Sequence, residues 1–405
     1  MSAMDTILVI NAGSSHLRFR IYSVEGEGSL RQQIKGRIDG IGRCPRLQAS
    51  SAGGDPLANR AYPIEAVRDI PAALNIAGAW LRDELHISPI AVGHRVVHGG
   101  AEHDRPVLID QGMLARLEGL TALAPLHLPH NLAPIRAILA DFPTLPQVAC
   151  FETAFHRTHA AVADHDAIPR GLHAEGVPRY GFHGLSYEYI AKTLLRVAPE
   201  IAMGRVIVAH LESGASMCAL DGGRSVESTM GFTAVDELPM EARPGQIDAG
   251  VVLYLISEKG MAASRVQELL QGDCGLNGLS GLSCDMRQLE ASKDVNAKFA
   301  IDYFVHWVSL NAGMLAAALQ GLDAFVFTAG IGESSASIRL RVAERLAWLG
   351  VKLDVAQNAR QSQLISSAAS RIPVYVLPSD VDLMIARHTL ALLMNSSSTA
   401  SKGAS

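Results

Sequence analysis

Three short segments of small residues are suited to binding phosphate through the backbone. They are Asn11-Ala-Gly-Ser-Ser15, His210-Leu-Glu-Ser-Gly-Ala-Ser216 and Ala329-Gly-Ile-Gly-Glu-Ser334, and each follows an apolar run typical of a buried strand. Oriented backbone N–H groups in such segments favour an anion, and glycine lets the backbone approach it closely. Any one of them alone is better explained as an ordinary turn. Their repetition predicts a phosphate-binding function, although the sequence contains neither GxxxxGK[ST] nor GxGxxG.

Two arginines and one histidine lie in segments rich in glycine and proline. Arg95 belongs to Gly93-His-Arg-Val-Val-His-Gly-Gly100, and Arg243 belongs to Pro239-Met-Glu-Ala-Arg-Pro-Gly245. A planar guanidinium binds carboxylate or phosphoryl oxygens in bidentate fashion. His183 stands between an aromatic residue and a glycine, which favours an imidazole that faces a cleft. A solvated surface arginine and a structural histidine remain the alternatives for each residue taken singly.

Glu152, His156 and His159 would share one face of a helix, which is one pattern for a metal site. The segment has no HExxH and no cysteine partner. We therefore favour packing and hydrogen-bonding roles for these three residues.

Strands and helices alternate along the chain and identify an α/β fold. Apolar and β-branched runs predict strands at 6–10, 17–22, 90–93, 147–151, 205–209, 217–220, 324–328 and 374–378. Helical spacing predicts helices at 64–87, 111–140, 297–320, from 337 onward and at 382–394. Residues 25–60, rich in Gly, Arg and Ser, are predicted to form loops with short strands, and 329–334 to form a turn.

The second half of the chain opens in the same way as the first. A strand, a small-residue turn and a second strand occur at 6–22 and again at 205–220, about 200 residues later, which suggests a duplicated architecture.

Composition and charge limit the possible classes of function. With 48% apolar and 19% charged residues, the chain of 405 residues is globular and large enough for more than one domain. A formal net charge of −5 argues against a nucleic-acid surface. Five widely spaced cysteines without CxxC indicate reduced thiols and a cytoplasmic location. Neither a signal peptide nor a membrane span is expected.

Taken together, these segments resemble the acetate kinase (acetate/propionate kinase) family. The resemblance extends over almost the whole chain. The motifs that carry it are Val9-Ile-Asn-Ala-Gly-Ser-Ser15, Gly93-His-Arg-Val-Val-His-Gly-Gly100, Leu123-Ala-Pro-Leu-His127, Thr153-Ala-Phe-His156, Arg179-Tyr-Gly-Phe-His-Gly184, Met230-Gly-Phe-Thr233, Phe327-Thr-Ala-Gly-Ile-Gly-Glu333 and Leu383-Met-Ile-Ala-Arg387.

The resemblance implies an actin/sugar-kinase/Hsp70-like (ASKHA) α/β fold, in which duplicated ribonuclease H-like domains enclose an interdomain nucleotide cleft. On that basis residues 1–155 plus 382–395 form a discontinuous N-terminal lobe. Residues 156–381 form a C-terminal lobe for nucleotide binding and dimerisation, and 396–405 are a disordered tail. The implied reaction is reversible phosphorylation of acetate or propionate by ATP, with Mg²⁺ or Mn²⁺, giving an acyl phosphate and ADP. The implied assembly is a homodimer.

The matched motifs also imply a role for each site residue. The catalytic residues are Glu152, His183 and Arg243, and the metal ligands are Asn11 and Asp382. The carboxylate substrate would contact Arg95, Val97, Leu126 and Phe182. The nucleotide would contact Arg18, His210, Leu211, Glu212, Ser213, Gly214, Asp285, Met286, Arg287, Gly330, Ile331, Gly332, Glu333 and Ser334.

Several positions depart from the family pattern around the phosphate path. Glu152 replaces an aspartate, and Glu212 replaces a glycine of the phosphate turn. Val381 has no ligand atom where the family has a carboxylate that shares Mg²⁺, so Asp382 or Asp380 would have to substitute for it.

Further departures surround Arg243. Glu237, Glu241 and Ala242 stand where small residues are usual, and Glu241 could pair with Arg243 and pull it off target. Ala234 replaces a pocket proline and leaves slightly more room, so acetate is the first expected substrate and propionate the second.

Three hypotheses follow. The leading one is an active kinase for short carboxylates, because Arg95, His183 and Arg243 are retained. The alternative is a catalytically impaired homologue that binds nucleotide or acyl phosphate as a partner or sensor, and Glu212, Glu241 and Val381 motivate it. A third is a kinase with another phosphoryl donor, such as pyrophosphate, because Ser334 replaces the usual asparagine.

Overall fold

The computed structural model describes residues 5–236 and 238–402, apart from the side chains of Glu27 and of 396–402. The chain divides into two compact units, unit 1 (Met1–Ala154 with Asp380–Ser405) and unit 2 (Phe155–Ser379). Glu237 and residues 403–405 of the predicted tail lie outside the described residues.

The described part of unit 1 contains an eight-stranded mixed sheet. Its strands are β1 (Thr6–Ala12), β2 (His16–Val24), β3 (Leu30–Asp39), β4 (Arg46–Ser51), β5 (Pro56–Ala61), β6 (Ala91–Val96), β7 (Val107–Leu108) and β8 (Gln147–Phe151). Their order across the sheet is β5-β4-β3-β2-β1-β6-β8-β7. The helices are α1 (Ile70–Ala79), α2 (Gln111–Gly119), α3 (Leu128–Asp141) and α15 (Val381–Lys402), and Trp80–Glu84 continues α1 as a π-helix.

The sheet of unit 2 has five strands in its described part. They are β9 (Arg205–Leu211), β10 (Ala215–Asp221), β11 (Arg224–Ser228), β12 (Ala324–Thr328) and β13 (Val374–Val376), in the order β11-β10-β9-β12-β13. The helices are α4 (Arg170–Ala174), α5 (Gly184–Val197), α6 (Pro199–Ala202), α7 (Ala249–Ser257), α8 (Ala263–Gly272), α9 (Gly275–Ser280), α10 (Met286–Ala291), α11 (Val295–Ala318), α12 (Ala329–Ser334), α13 (Ala336–Arg345) and α14 (Val355–Ala359).

Single turns of 3-10 helix complete the secondary structure, at Gly26–Gly28, Ile64–Ala66, Thr121–Leu123, Ala154–Thr158 and Ala347–Leu349.

The two sheets share a five-strand arrangement. In unit 1, β1 pairs antiparallel with β2 and parallel with β6, which in turn pairs parallel with β8. In unit 2, β9 pairs antiparallel with β10 and parallel with β12, which pairs parallel with β13. A further antiparallel strand follows each hairpin, β3 after β2 and β11 after β10. The predicted duplication of a strand hairpin is therefore confirmed.

Each sheet packs an apolar core of its own. Aliphatic side chains of β1 to β4 meet α1 in unit 1, around Leu17, Ile38 and Trp80. In unit 2 the inner residues of β9, β10 and β12 meet α5, around Val208 and Leu194. Central strands that are buried on both faces read as continuous apolar runs, which is why the sequence predicts them well.

Three predictions about elements are wrong. Residues 25–60 form the full strands β3, β4 and β5, because their polar residues alternate with buried Ile34, Ile38 and Leu47 on the other face. Residues 329–334 form the short helix α12 and not a turn. The last helix continues to Lys402 and does not end at Met394, because no Gly or Pro interrupts the sequence there.

Candidate active site

In unit 1, three of the predicted site residues lie at one edge of the sheet. Asn11 is near the end of β1 and Arg95 near the end of β6, while Glu152 directly follows β8. These three strands are parallel neighbours, so their carboxyl ends meet at the same edge. The backbone N–H of Glu152 donates to the Val96 carbonyl at 3.0 Å, which continues the ladder up to the site.

Arg95 and Glu152 form an ion pair at this edge. The Arg95 Nε–H donates to Glu152 Oε1 at 2.5 Å, and the Glu152 side chain is only 3% exposed. The second carboxylate oxygen, Oε2, is buried and has no hydrogen-bond partner among the residues that the structure describes. A buried carboxylate oxygen without a donor is costly unless a cation or a further donor meets it.

Asn131 on α3 connects the two segments beside this ion pair. Its Nδ2 donates to the Ala12 carbonyl at 2.7 Å, and its Oδ1 accepts from the Val97 N–H at 2.9 Å. It therefore fixes the end of β1 relative to the segment that follows Arg95. Sequence reasoning missed Asn131, because nothing marks a single asparagine in a helical segment as a brace.

Asp382, a predicted metal ligand, lies in the first turn of α15 and pairs with Arg20 of β2. The Arg20 Nε to Asp382 Oδ2 distance is 2.7 Å, and Arg20 Nη1 lies 3.3 Å from Asp380 Oδ1. Burial raises the pKa of Asp382, whereas Arg20 lowers it. One oxygen of Asp382 is therefore engaged by a cation of the chain itself. Asp380 caps α15, since it accepts from the Leu383 N–H at 2.9 Å.

Arg18 and Val97, two further predicted residues of unit 1, lie at the same edge. Arg18 of β2 is exposed and pairs across the hairpin with Asn11. Burial and the neighbouring charge of Arg18 lower the pKa of His16. Of the two predicted acyl-pocket residues in this unit, Val97 is buried and Leu126 is 48% exposed.

In unit 2, three predicted residues converge on one point. A Cβ placed on Gly214 would lie 3.2 Å from His183 Nε2 and 3.3 Å from Arg243 Nη2. Gly214 ends the turn between β9 and β10. Nitrogen atoms of a histidine and an arginine thus face a turn that has no side chain at this position, and such an arrangement suits an anion when both nitrogens donate.

His183 is held firmly in place. Its backbone is left-handed, with φ 57°, and it is the N-cap residue of α5. Its Nδ1 lies 2.7 Å from Ser216 Oγ, and its Nε2 is the ring nitrogen that faces Gly214. Its ring stacks on that of His210, with centroids 4.3 Å apart. Phe182, the predicted acyl-pocket residue of this unit, is buried.

Arg243 is oriented by the loop that carries it. Its Nη1 donates to the Ala234 carbonyl at 2.5 Å. Burial raises the pKa of the nearby Glu241 carboxyl, and Asp285 and Glu212 raise it further, whereas Arg243 lowers it.

The turn between β9 and β10, which is predicted to bind phosphate, carries Glu212 on its outer side. A Cβ on Gly330 would meet Glu212 Cγ at 3.2 Å, so the side chain leans over the start of α12. It is nevertheless 55% exposed, and its Oε2 lies 3.9 Å from His210 Nε2. Within the same turn Leu211 is buried and Ser213 is exposed.

The segment 330–334 is organised by a carboxylate. Glu333 Oε1 accepts from the Ala329 N–H at 2.8 Å and from the Ser379 N–H at 3.2 Å. Burial raises the pKa of Glu333. Within this segment Gly332 is buried, Ile331 is half-buried and Gly330 and Ser334 are accessible, and Ser334 Oγ donates to the Gly330 carbonyl at 2.6 Å.

Residues 285–287 form the start of α10. Asp285 caps this helix, accepting from the Arg287 N–H at 2.8 Å, and also pairs with the Arg287 guanidinium. The hydrogen bonds from Arg287 lower the pKa of Asp285. Met286 is buried, whereas the Arg287 side chain is 83% exposed.

The packing interpretation of His156 and His159 is confirmed. His156 contacts Ser225 Oγ and the Phe182 carbonyl, at 2.8 and 2.7 Å, and His159 contacts Ser225 Oγ at 2.7 Å. Within 5–236 and 238–402, no three His, Cys, Asp or Glu side chains are grouped closely enough to hold a metal ion. No helix built from these residues is both long and apolar enough to cross a bilayer.

Comparison with known proteins gives consistent results. The model of the acetokinase family matches residues 6–387. The chain is 70% identical to the acetate kinase of Nitrobacter hamburgensis, with 98% of both chains covered. It is 57% identical to the acetate kinase of Rhizobium meliloti, over 96% of this chain and 99% of the relative.

Solved structures show the same similarity. A propionate kinase from Francisella tularensis superposes with a TM-score of 0.89 at 32% identity, over 95% of this chain and 99% of the other. An acetate kinase from Porphyromonas gingivalis gives a TM-score of 0.86 at 30% identity, over 96% of this chain and the whole of the other.

Proposed function

The chain belongs to the acetokinase family, and on that premise we propose that it catalyses reversible transfer of the γ-phosphoryl group of ATP to acetate. A carboxylate oxygen of acetate forms a bond to the γ-phosphorus while the bond from that phosphorus to the β,γ-bridging oxygen breaks. The products are acetyl phosphate and ADP. For this transfer the protein must hold the attacking oxygen in line with the bond that breaks, and it must neutralise charge on the transferred group.

The observation that carries this proposal is the convergence of His183 Nε2 and Arg243 Nη2 beside Gly214. Donors fixed before the reaction stabilise the charge that develops on the equatorial phosphoryl oxygens, at no further cost of reorganisation. The Ser216 contact to His183 Nδ1 and the Ala234 contact to Arg243 Nη1 hold both donors in place. We assign both residues to the transferred phosphoryl group.

We assign Arg95 to the carboxylate substrate. Its Nε is occupied by Glu152, and the terminal nitrogens of its guanidinium are the ones suited to a bidentate contact with acetate. Buried Val97 directly follows on the same segment and supplies apolar surface for the methyl group. Leu126 is a further proposed contact of the acyl group in unit 1, and the acyl contact of Phe182 in unit 2 stays a prediction. Acetate is the first proposed substrate. Propionate is the second, because Ala234 leaves more room for a longer acyl chain than proline would.

The residues of unit 1 fit a divalent cation. Glu152 Oε2 is a buried carboxylate oxygen without a donor among the described residues, and Asn11 places an amide at the same sheet edge. Mg²⁺ is commonly held by one or two protein groups together with substrate phosphates. We propose that Asn11 and Glu152 hold Mg²⁺, with Asp382 beside them under the control of Arg20. The bound ion would neutralise phosphate charge.

We propose that the nucleotide phosphates bind along 210–214, and the phosphate contact of Arg18 stays a prediction. The starts of α10 (285–287) and α12 (330–334) are the proposed adenosine side. The half-exposed position of Glu212 supports this proposal, because its carboxylate can remain in solvent. Relatives that are named as kinases favour this enzyme over the impaired homologue.

We also propose a homodimer, with α7 in the interface. This helix is apolar, yet none of its residues is buried; Leu253 is 65% exposed, and Val251, Tyr254 and Ile256 are exposed as well. An exposed apolar face of this kind is typical of a subunit interface. We propose that a second copy of the chain covers this apolar face. We also propose a cytoplasmic location, where the five free thiols stay reduced. Leu253→Glu should give monomers by light scattering, whereas Val162→Glu, at another exposed apolar position of unit 2, should not.

The test of the proposed function is formation of acetyl phosphate from acetate, ATP and Mg²⁺, trapped with hydroxylamine. We expect turnover that depends on both ATP and Mg²⁺ and that falls sharply in Arg95→Ala and Arg243→Ala. Background rates that neither substitution changes would contradict the proposal. Replacing ATP by pyrophosphate tests the remaining donor hypothesis in the same assay.

A further inference from the structure

We propose that His156 is a positioning residue, which sets the orientation of His183 through a hydrogen bond to the Phe182 carbonyl. The inference rests on the phosphoryl-binding role proposed above for His183. It concerns residues outside the set assigned to substrates, because His156 is fully buried and lies behind the segment that carries His183.

The segment 181–183 needs external support. Gly181 has φ 71° and His183 has φ 57°, so both residues are left-handed. A non-glycine residue in this region costs about 1 kcal/mol. A Cβ on Gly181 would meet ring atoms of His156 at 2.7 Å, so the backbone rests directly against the imidazole. The turn and the ring therefore fix each other.

The hydrogen bonds of His156 determine its tautomer. Nε2 lies 2.7 Å from the Phe182 carbonyl oxygen, which can only accept, so Nε2 carries the proton. Burial lowers the pKa of His156 to about 3, so the ring is neutral near pH 7. Nδ1 then has a lone pair, and it accepts from the Ser225 hydroxyl at 2.8 Å.

The groups beyond Ser225 fix the direction of this chain of hydrogen bonds. The Ser225 hydroxyl donates its one hydrogen bond to His156 Nδ1, so Ser225 Oγ accepts from the other groups around it. Those groups are His159 Nε2 at 2.7 Å and Cys218 Sγ at 3.1 Å. The order His159, Ser225, His156 and Phe182 therefore runs in a single direction and ends at the peptide before His183.

Two substitutions separate positioning from simple packing. In His156→Gln the side-chain amide nitrogen can take the place of Nε2 and donate to the Phe182 carbonyl. In His156→Asn the amide nitrogen corresponds to Nδ1, and nothing reaches that carbonyl. We expect kcat for acetyl phosphate formation to fall about 100-fold in His156→Asn and no more than about threefold in His156→Gln, with the KM for ATP little changed in both.

A second measurement does not depend on turnover. In protein labelled with ¹⁵N-histidine, His156 should show a protonated Nε2 and an unprotonated Nδ1 from pH 8 to pH 5, with the resonances assigned by their loss in His156→Gln. Equal loss of kcat in both variants would overturn the inference, as would the opposite tautomer or titration near pH 6.5. If the wild-type protein forms no acetyl phosphate at all, the proposed function fails, while the tautomer measurement still tests the hydrogen-bond chain.

Discussion

The two units repeat one sheet arrangement but equip its edge in different ways. In unit 1 the charged groups stand on or directly after the strands: Arg95 on β6 and Glu152 after β8. In unit 2 the turn at this edge has no side chain at Gly214, and His183 and Arg243, which lie beside it, belong to segments outside the sheet. The fold was repeated and the chemistry was not, which fits the general rule that function depends on the site and not on the fold.

The acidic side chains near the predicted site residues have different surroundings in the two units. In unit 1 each site carboxylate is close to an arginine, Glu152 to Arg95 and Asp382 to Arg20. In unit 2 burial raises the pKa of Glu241, and the neighbouring acids Asp285 and Glu212 raise it further. We infer that unit 1 is built for a cation and a carboxylate, and that unit 2 tolerates its extra acids because Glu212 stays half-exposed.

The largest effect is expected in unit 2, on removal of a donor to the phosphoryl group. Arg243→Ala should lower kcat by about 1,000-fold, because a single fixed donor contributes on the order of 100- to 1,000-fold. Arg243→Lys keeps the charge but lacks the planar pair of N–H donors of the guanidinium, so it should recover only part of the rate. Initial rates with the hydroxylamine assay measure both. A loss below tenfold in Arg243→Ala would remove Arg243 from the transition state.

The next effect tests the ion pair of unit 1. Glu152→Gln leaves the partly buried Arg95 without its counter-charge and removes the proposed Mg²⁺ contact. We expect kcat to fall about 100-fold. The Mg²⁺ concentration needed for half-maximal activity should rise, and Tm should fall. Glu152→Asp keeps the charge and serves as the control for both rate and melting temperature. Equal Mg²⁺ dependence in the wild type and in Glu152→Gln would show that Glu152 acts only on Arg95.

A third prediction concerns pH and compares a buried histidine in each unit. Burial lowers the pKa of His94 in unit 1 to about 4 and that of His156 in unit 2 to about 3. Between these values and about 6.5 the unfolded chain binds protons that the folded chain does not, so stability is full above pH 6.5 and is lost as the pH falls.

At pH 5 His94 alone should destabilise the protein by about 2 kcal/mol relative to pH 7. Chemical denaturation of the wild type and of His94→Gln at both pH values measures this difference. The variant should be less sensitive to acid. An identical pH dependence would mean that His94 is protonated in the folded protein.

The smallest effect is expected from the acid on the phosphate turn. Glu212→Gly should lower the KM for ATP about fivefold, since a charge about 4 Å away through water-like surroundings contributes about 1 kcal/mol. Glu212→Gln removes the charge but keeps the length, which separates repulsion from steric obstruction. A higher KM for ATP in both variants would show that Glu212 has become a binding group in unit 2.

The sequence predicts the central strands well, because strands that are buried on both faces give uninterrupted apolar runs. It fails for β3 to β5, where only one face is buried, and for α12, whose glycines look like a turn. Contacts between residues that are far apart in the sequence could not be predicted either, because no local pattern marks them. Asn131 joins Ala12 to Val97, and Arg20 engages Asp382, through pairings that only the folded chain creates.

We propose that the two arginines have separate roles: Arg95 of unit 1 binds the carboxylate substrate, and Arg243 of unit 2 stabilises the transferred phosphoryl group. Steady-state kinetics of Arg95→Ala and Arg243→Ala, with acetate and ATP varied separately, tests it most directly. We expect Arg95→Ala to raise the KM for acetate about 100-fold with the KM for ATP little changed, whereas Arg243→Ala should lower kcat and leave the KM for acetate within about threefold. Equal increases of both KM values in Arg95→Ala, or a change confined to ATP, would contradict it.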